Sequence, residues 1–357
     1  MNYLQNHAER TLPNITSVRF FLAVFVVIFH ITLFCKNRGF VYFGDWAIFH
    51  KGHEAVYMFF SLSGFLIIRQ LYIEKQLTNT ISLKRFYLRR ILRIFPLYYL
   101  ILFVGFFYYR VALPHLGFEM ENNYDFGSAI VLGVTFFANI LITYSPGGII
   151  EILWSIGIEE QFYLFVAPIV WVLSRKHIVP FLLIFTFLYF AIFASNIFPF
   201  LQRFRMYYYY FSLSGLFAIL SLKTNSYRFP KFVQIFIIAL VIVYFTTTWF
   251  SGFLSDWVYQ GFSVILFTLF VAELTKMKIS FLENRSLNYL GKISYGIYMY
   301  HTVVIQFVGF LYLKITKIQQ FPILSTLLFN IMVIGGTILI SHFSYKYYES
   351  YFLRKKN

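Results

Sequence analysis

Arg19 and His30 are separated by ten residues that are all apolar or aromatic, so two ionisable side chains flank a stretch with the composition of a membrane-crossing helix. At 3.6 residues per turn a spacing of eleven is close to three whole turns, which places both side chains on one face about 16 Å apart along the axis. Ionisable groups are costly inside a bilayer, so a chain that keeps two on one stripe uses them on a substrate path or in chemistry. A neutral imidazole is the usual proton acceptor near neutral pH, and a guanidinium suits phosphate or a carbonyl oxygen. The competing reading for His30 is a core imidazole satisfied by a neighbouring carbonyl.

Three other groups have chemistry in their spacing. Ser294, Tyr298 and His301 recur at four and three residues and form one polar stripe reaching about 12 Å into the layer, a depth comparable to that of His30. The two histidines can therefore meet, with Tyr298 or His301 as donors to a developing oxyanion. Ser155, Glu159 and Tyr163 repeat every four residues and present a hydroxyl, a carboxylate and a phenol, a set that can hydrogen-bond a polyol. Against this, Glu159 and Glu160 can simply complement a helix N-terminus. Arg85, Arg89 and Arg93 also repeat every four residues, and such a face can grip the phosphates of a nucleotide-containing donor. An orientation signal with attraction to anionic lipid is the alternative. The single cysteine, Cys35, lies off the face of His30 and is expected to pack rather than react. No metal-spaced cluster stands out, and no metal is expected.

The elements that must hold these residues follow from composition. With 59% hydrophobic and only 12% charged residues and a mean hydropathy of +0.69, the 357 residues cannot hide their apolar surface in a soluble core, so the chain is expected to be an all-α, polytopic transmembrane bundle. Apolar runs fall at Val18–Cys35, Ala55–Ile73, Leu92–Ala112, Ile158–Ser174, Val179–Phe198, Met206–Leu222, Phe232–Phe250, Trp257–Thr275, Ile293–Leu313 and Ile323–Tyr345. An eleventh, Ser128–Thr143, is short and ends at Ser145-Pro146-Gly147-Gly148, which predicts a re-entrant dip. The net charge is +16, and the placement of the 30 Lys and Arg separates the two topologies. Ten crossings with both termini cytoplasmic put 22 of the 30 Lys and Arg inside and 8 outside, whereas eleven give 13 and 17. The basicity is thus read as topology and not as nucleic-acid binding. No A-x-A cleavage pattern follows the first run, so that helix is expected to remain as an anchor. One transmembrane domain over 1–357, with a core of about 16–348, is expected, and no soluble domain.

Together, Arg19-x10-His30, Phe59-Phe60-Ser61-Leu62-Ser63-Gly64-Phe65-Leu66, Arg89-Arg90-x-x-Arg93-x-x-Pro96, Trp154-Ser155-x-x-x-Glu159-x-Gln161-Phe162-Tyr163 and Ser294-Tyr295-Gly296-x-Tyr298-x-x-His301 resemble the acyltransferase-3 family of integral membrane acyltransferases, over roughly Thr16 to Tyr348. The resemblance implies transfer of an acyl group, usually acetyl, from cytoplasmic acyl-coenzyme A to a hydroxyl of an O-antigen, capsule, exopolysaccharide or peptidoglycan precursor. It implies His30 and Arg19 as the functional pair, Glu159 as the motif carboxylate and the Arg89 to Arg93 run as the donor-side basic motif. With the stripes above, His30, Arg19 and Glu159 are expected to be catalytic, Arg85, Arg89, Arg90 and Arg93 to bind the donor, and Ser155, Tyr163, Tyr298 and His301 to bind the acceptor. Acetyl-coenzyme A is then a substrate, and no tightly bound cofactor is expected. Expected partners are acyl-coenzyme A, a surface glycan or lipid-linked saccharide and membrane lipid, in the cytoplasmic membrane. Compared with longer members the chain is expected to lack a C-terminal extracytoplasmic esterase-like domain, which leaves open whether a partner protein completes the transfer.

Two other classes share the bundle physics. A transporter or flippase of glycolipid places His, Arg and Glu along a transport path just as readily, and a membrane polymerase or ligase of glycans is a third reading.

Overall fold

The computed structural model describes residues 12–118, 124–223, 229–313 and 321–356, and among them every regular element is helical. The long helices are α1 (Ile15–Arg38), α2 (Gly52–Thr78), α3 (Leu83–Phe107), α4 (Leu153–Val172), α5 (Arg175–Ser195), α6 (Tyr208–Lys223), α7 (Lys231–Thr246), α8 (Asp256–Leu274), α9 (Ser294–Leu313) and α10 (Pro322–Phe343). Each overlaps one of the ten apolar runs. Six stretches, Ile15–Arg38, Gly52–Thr78, Leu83–His115, Arg175–Ser195, Asp256–Leu274 and Pro322–Leu353, have the length and apolarity to cross a membrane, and α7 is a shorter apolar helix. Arg10, Arg228, Lys314 and Lys317 of the charge comparison lie outside the described residues.

The run at 128–143 folds as two short helices, Phe126–Val134 and Ala138–Leu141, broken at Phe136, whose φ is +63°. Nine residues at 1.5 Å each span about 14 Å, roughly half a hydrocarbon core, so neither helix alone has the length of a crossing. A left-handed phenylalanine is strained and persists only where its surroundings over-determine it. Here the ring stacks on Tyr98 at a centroid distance of 4.3 Å and packs on Phe95 at 4.6 Å.

The chain divides into two compact units. The first holds the residues up to Leu22, Asp45–Leu83 and Phe162–Lys292. Its centre is α2 against α6, where a Cβ at Gly64 would lie 2.2 Å from the carbonyl oxygen of Phe211. Only glycine permits that approach, which gives a packing reason for the Ser63-Gly64 pair. Phe60, Phe211 and Phe162 stack in sequence beside it, at 4.7 and 4.6 Å. Buried Lys75 of α2 donates to the carbonyls of Val170 and Trp171 at 2.6 and 2.7 Å, bringing a cation to the last turn of α4, where unpaired carbonyls collect negative charge. At the start of α1, Asn14 donates to the carbonyls of Leu274 and Met277 at 2.9 and 2.8 Å and so ties α1 to the end of α8.

The second unit holds Ala23–Gly44, Lys84–Gln161 and Ile293–Asn357. In it α9 packs along α10, and Cys35 is fully buried on α1. Pro96 sits inside α3 and has no N–H to give its helix. Nearby, Tyr295 and Tyr348 donate their hydroxyls to the carbonyls of Ile94 and Pro96, at 2.9 and 3.0 Å.

Candidate functional site

Within the second unit four of the expected site residues form one hydrogen-bonded chain. His301 Nε2 lies 3.1 Å from His30 Nδ1, with ring centroids 4.9 Å apart. His301 Nδ1 lies 2.5 Å from the carbonyl oxygen of Tyr298, and His30 Nδ1 lies 2.9 Å from the carbonyl oxygen of Val26. Carbonyl oxygens only accept, so both Nδ1 atoms carry hydrogens in the neutral rings. His301 Nε2 is then an acceptor, and the His30 Nδ1–H is shared between it and Val26. The lone pair of His30 is thereby assigned to Nε2.

The chain continues through α9 to the start of α4. Tyr298 donates its hydroxyl to the carbonyl of Ile152 at 2.8 Å, and Ser155 Oγ lies 2.7 Å from the same phenol oxygen. Ser155 Oγ also lies 3.5 Å from the Ile152 carbonyl, so the phenol, the hydroxyl and that carbonyl form one cluster. Ser155, Tyr298 and His301 are all buried, whereas His30 is half-buried. The Tyr298 hydroxyl and the His301 Nδ1–H are thus both committed to carbonyls. In this arrangement they orient His30 rather than point a donor at a reacting oxygen.

The motif around Ser155 has a second structural task. A Cβ at Gly157 would lie 2.5 Å from the carbonyl oxygen of Phe136, so glycine is needed for α4 to approach the broken segment. One turn on, Gln161 donates to that same carbonyl at 2.9 Å and to the amide oxygen of buried Asn139 at 2.8 Å. Glu159 is half-buried, whereas Glu160, singled out in the sequence only as a possible helix-terminus charge, is buried with one carboxyl oxygen lacking a hydrogen-bond partner. Glu349 is likewise buried and accepts from Ser344 at 3.2 Å. Nothing in the sequence singles out Glu349, since its burial depends on packing far along the chain.

Arg85 is exposed on α3 and accepts a bond from Arg89 Nε at its carbonyl, while Arg89, Arg90 and Arg93 are half-buried. Arg90 lies within electrostatic reach of Glu160, and Arg93 of Glu349. Arg19, half-buried, lies on the part of α1 that belongs to the first unit, and Tyr163, buried, lies on the corresponding part of α4.

A helical protein with several membrane-length apolar helices, and with a histidine pair held by carbonyls on two of its helices, is a multi-pass membrane protein with a buried polar centre. The chain belongs to the family described as an acyltransferase domain, which it matches over residues 12–342. It is similar to O-acetyltransferase OatA of Staphylococcus aureus (strain NCTC 8325 / PS 47), at 25% identity over 373 residues, covering 98% of this chain and 58% of the relative. It is also similar to Putative O-acetyltransferase SACOL0978 of Staphylococcus aureus (strain COL), at 23% identity over 384 residues, covering 97% of this chain and 58% of the relative. The chain therefore spans a little under three fifths of the length of these relatives. No solved structure matches it.

Proposed function

We propose that the protein is an O-acetyltransferase that moves an acetyl group from cytoplasmic acetyl-coenzyme A to a hydroxyl of a cell-surface carbohydrate, with His30 as the general base. Membership of the acyltransferase family and relatives named as O-acetyltransferases support the reaction type. The observation that carries the role of His30 is the carbonyl-fixed histidine pair, which leaves its Nε2 as the basic nitrogen. In the reaction, Nε2 takes the proton of the acceptor hydroxyl as its oxygen bonds to the thioester carbonyl carbon. The carbon–sulfur bond then breaks, and the departing thiolate takes that proton to give free coenzyme A. His301 Nε2 accepts from the Nδ1–H of His30 throughout, so it steadies the imidazolium that forms, much as an acceptor behind a catalytic histidine does in a triad.

The remaining roles follow the chemistry of each group. Arg85, Arg89, Arg90 and Arg93 hold the phosphates of coenzyme A by charge-assisted bonds, and Arg19 holds the donor's phosphates or its carbonyl end. Glu159 and Tyr163 bind the sugar hydroxyls, while Ser155 and Tyr298 act through His301. This layout goes with ten crossings, both termini cytoplasmic, in the cytoplasmic membrane. The donor then arrives from inside and the acceptor from outside, and an accessory protein can complete delivery.

The test uses membranes containing the protein, acetyl-coenzyme A labelled in its acetyl group, and an envelope glycan fraction. Label should pass to glycan, and transfer should fall about 10²–10⁴-fold in His30→Ala at unchanged protein level. Glycolipid movement without release of free coenzyme A would instead mark a transporter.

A further inference from the structure

The first unit contains a cavity of about 210 Å³ with no part in the reaction described above, at one end of α5, α6 and α8. On the proposed topology that end is extracytoplasmic. We propose that this cavity is a saccharide-binding subsite that takes one neutral sugar ring of the glycan acceptor, an inference that rests on the acyl-transfer reading for the identity of its ligand.

Phe193, Tyr207 and Trp257 contribute aromatic surface, with Trp257 set edge-on to Phe193 at 6.1 Å and Tyr207 at 5.3 Å from Phe193. Between them stand the amides of Gln202 and Gln260 and the carboxylate of Asp256. Apolar faces beside a few placed donors and acceptors are what a sugar ring needs, since its C–H faces are apolar and its rim is hydroxyl.

Both amides are held by hydrogen bonds. Gln260 Oε1 accepts from the hydroxyls of Tyr210 and Tyr209 at 2.8 and 3.4 Å, with its NH₂ group at the other branch of the amide. Gln202 Nε2 donates to the carbonyl of Phe193 at 2.7 Å, so its oxygen remains an acceptor. The lining thus offers one amide donor, one amide acceptor and one carboxylate.

Charge then narrows the ligand. Among the described residues of the lining, Asp256 is the one acidic side chain and no basic one is present. The nearby cation, Lys51, is buried and engaged with Glu54 at 3.3 Å and with the Tyr259 hydroxyl at 2.9 Å. An anionic coenzyme A would meet that carboxylate directly in the lining, so the cavity favours a neutral polyol. Its volume is below the roughly 300–1,000 Å³ of pockets for drug-sized ligands, so it suits a single ring. Tyrosines and tryptophans of a membrane-interface belt are the competing account, but a belt requires neither a concavity nor amides fixed by phenols.

The experiment uses the full chain in nanodiscs, with glucose, galactose, N-acetylglucosamine and N,N′-diacetylchitobiose as probes and saturation-transfer NMR as the readout. At least one sugar should receive saturation on its ring protons, coenzyme A should not displace it, and Trp257→Ala should weaken it about tenfold, with partial recovery in Trp257→Phe. The Michaelis constant for the envelope glycan fraction should rise by a similar factor in Trp257→Ala. Binding of no sugar, displacement by coenzyme A, or an unchanged Michaelis constant would each overturn the subsite. Sugar binding that persists where no acetyl transfer occurs would instead remove the catalytic reading and leave the cavity as a sugar site.

Discussion

His301 accepts the Nδ1–H of His30 across 3.1 Å while giving its own Nδ1–H to the carbonyl of Tyr298, so the proton of a ring on α1 is shared between an acceptor on α9 and the Val26 carbonyl of its own helix. A lone histidine chooses between two tautomers, and only one leaves the lone pair on the nitrogen turned from its own helix.

Replacing His301 by leucine removes that acceptor while leaving the Val26 carbonyl in place. Acetyl transfer is expected to fall about 10²-fold, the usual cost of a base held loosely. His301→Gln should recover part of the loss, because its amide oxygen can accept the same proton. A leucine variant as active as the glutamine variant would show that His301 only fills space.

Gln161 holds the broken segment to α4 by two hydrogen bonds, to the carbonyl of Phe136 and the amide of Asn139. Gln161→Leu leaves both partners without that donor in a buried setting, at a cost of about 1–3 kcal/mol for each group left bare. Hydrogen exchange across 126–144 should accelerate in the variant while that of α9 stays as it was. Equal exchange would mean that stacking on Tyr98 alone fixes the segment.

At Gly64 an added methyl meets the backbone of α6, which cannot move aside as a side chain can. Gly64→Ala is expected to destabilise the first unit by about 1–3 kcal/mol, read as a lower melting temperature in detergent. Gly252 has open space around its missing Cβ, so Gly252→Ala serves as the neutral control.

Asp125 caps the helix Phe126–Val134 by accepting the Ser128 N–H at 2.7 Å, and that bond holds its carboxyl below the ordinary value of 3.8. A depressed carboxyl contributes its stabilisation in full above its unfolded value and loses it as pH falls through its folded one. Protection of the Ser128 amide should therefore be constant above 3.8 and decline only below it. In Asp125→Ala that amide should exchange faster at every pH, with no such step.

The helices were legible because apolar runs of membrane length have few alternatives, and α1 to α10 each overlap one run. Stripe arithmetic also put His30 and His301 at similar depth, and the structure brings them into contact. The pairing of Ser155 with Tyr298 was not legible. The spacing of Ser155 to Glu159 and Tyr163 describes one face of α4, but 143 residues separate Ser155 from its partner on α9. The contrast between half-buried Glu159 and buried Glu160 is equally invisible in sequence, because adjacent helical residues point about 100° apart and only neighbouring helices decide which is covered. The break at Phe136 lacks a glycine or proline at the bend, since its conformation is imposed by Gln161, Tyr98 and Phe95.

The bond from Lys75 to the end of α4 has a bearing on biogenesis. About ninety residues lie between donor and acceptor, so α2 leaves the ribosome long before the carbonyls of Val170 and Trp171 exist. Until then the ammonium must wait in water or among headgroups near the end of its helix, and it is drawn inward only once α4 arrives. Closure of that contact therefore marks a late step in maturation, and a chain stalled before Trp171 would still expose Lys75 to amine-reactive labels that the finished protein excludes.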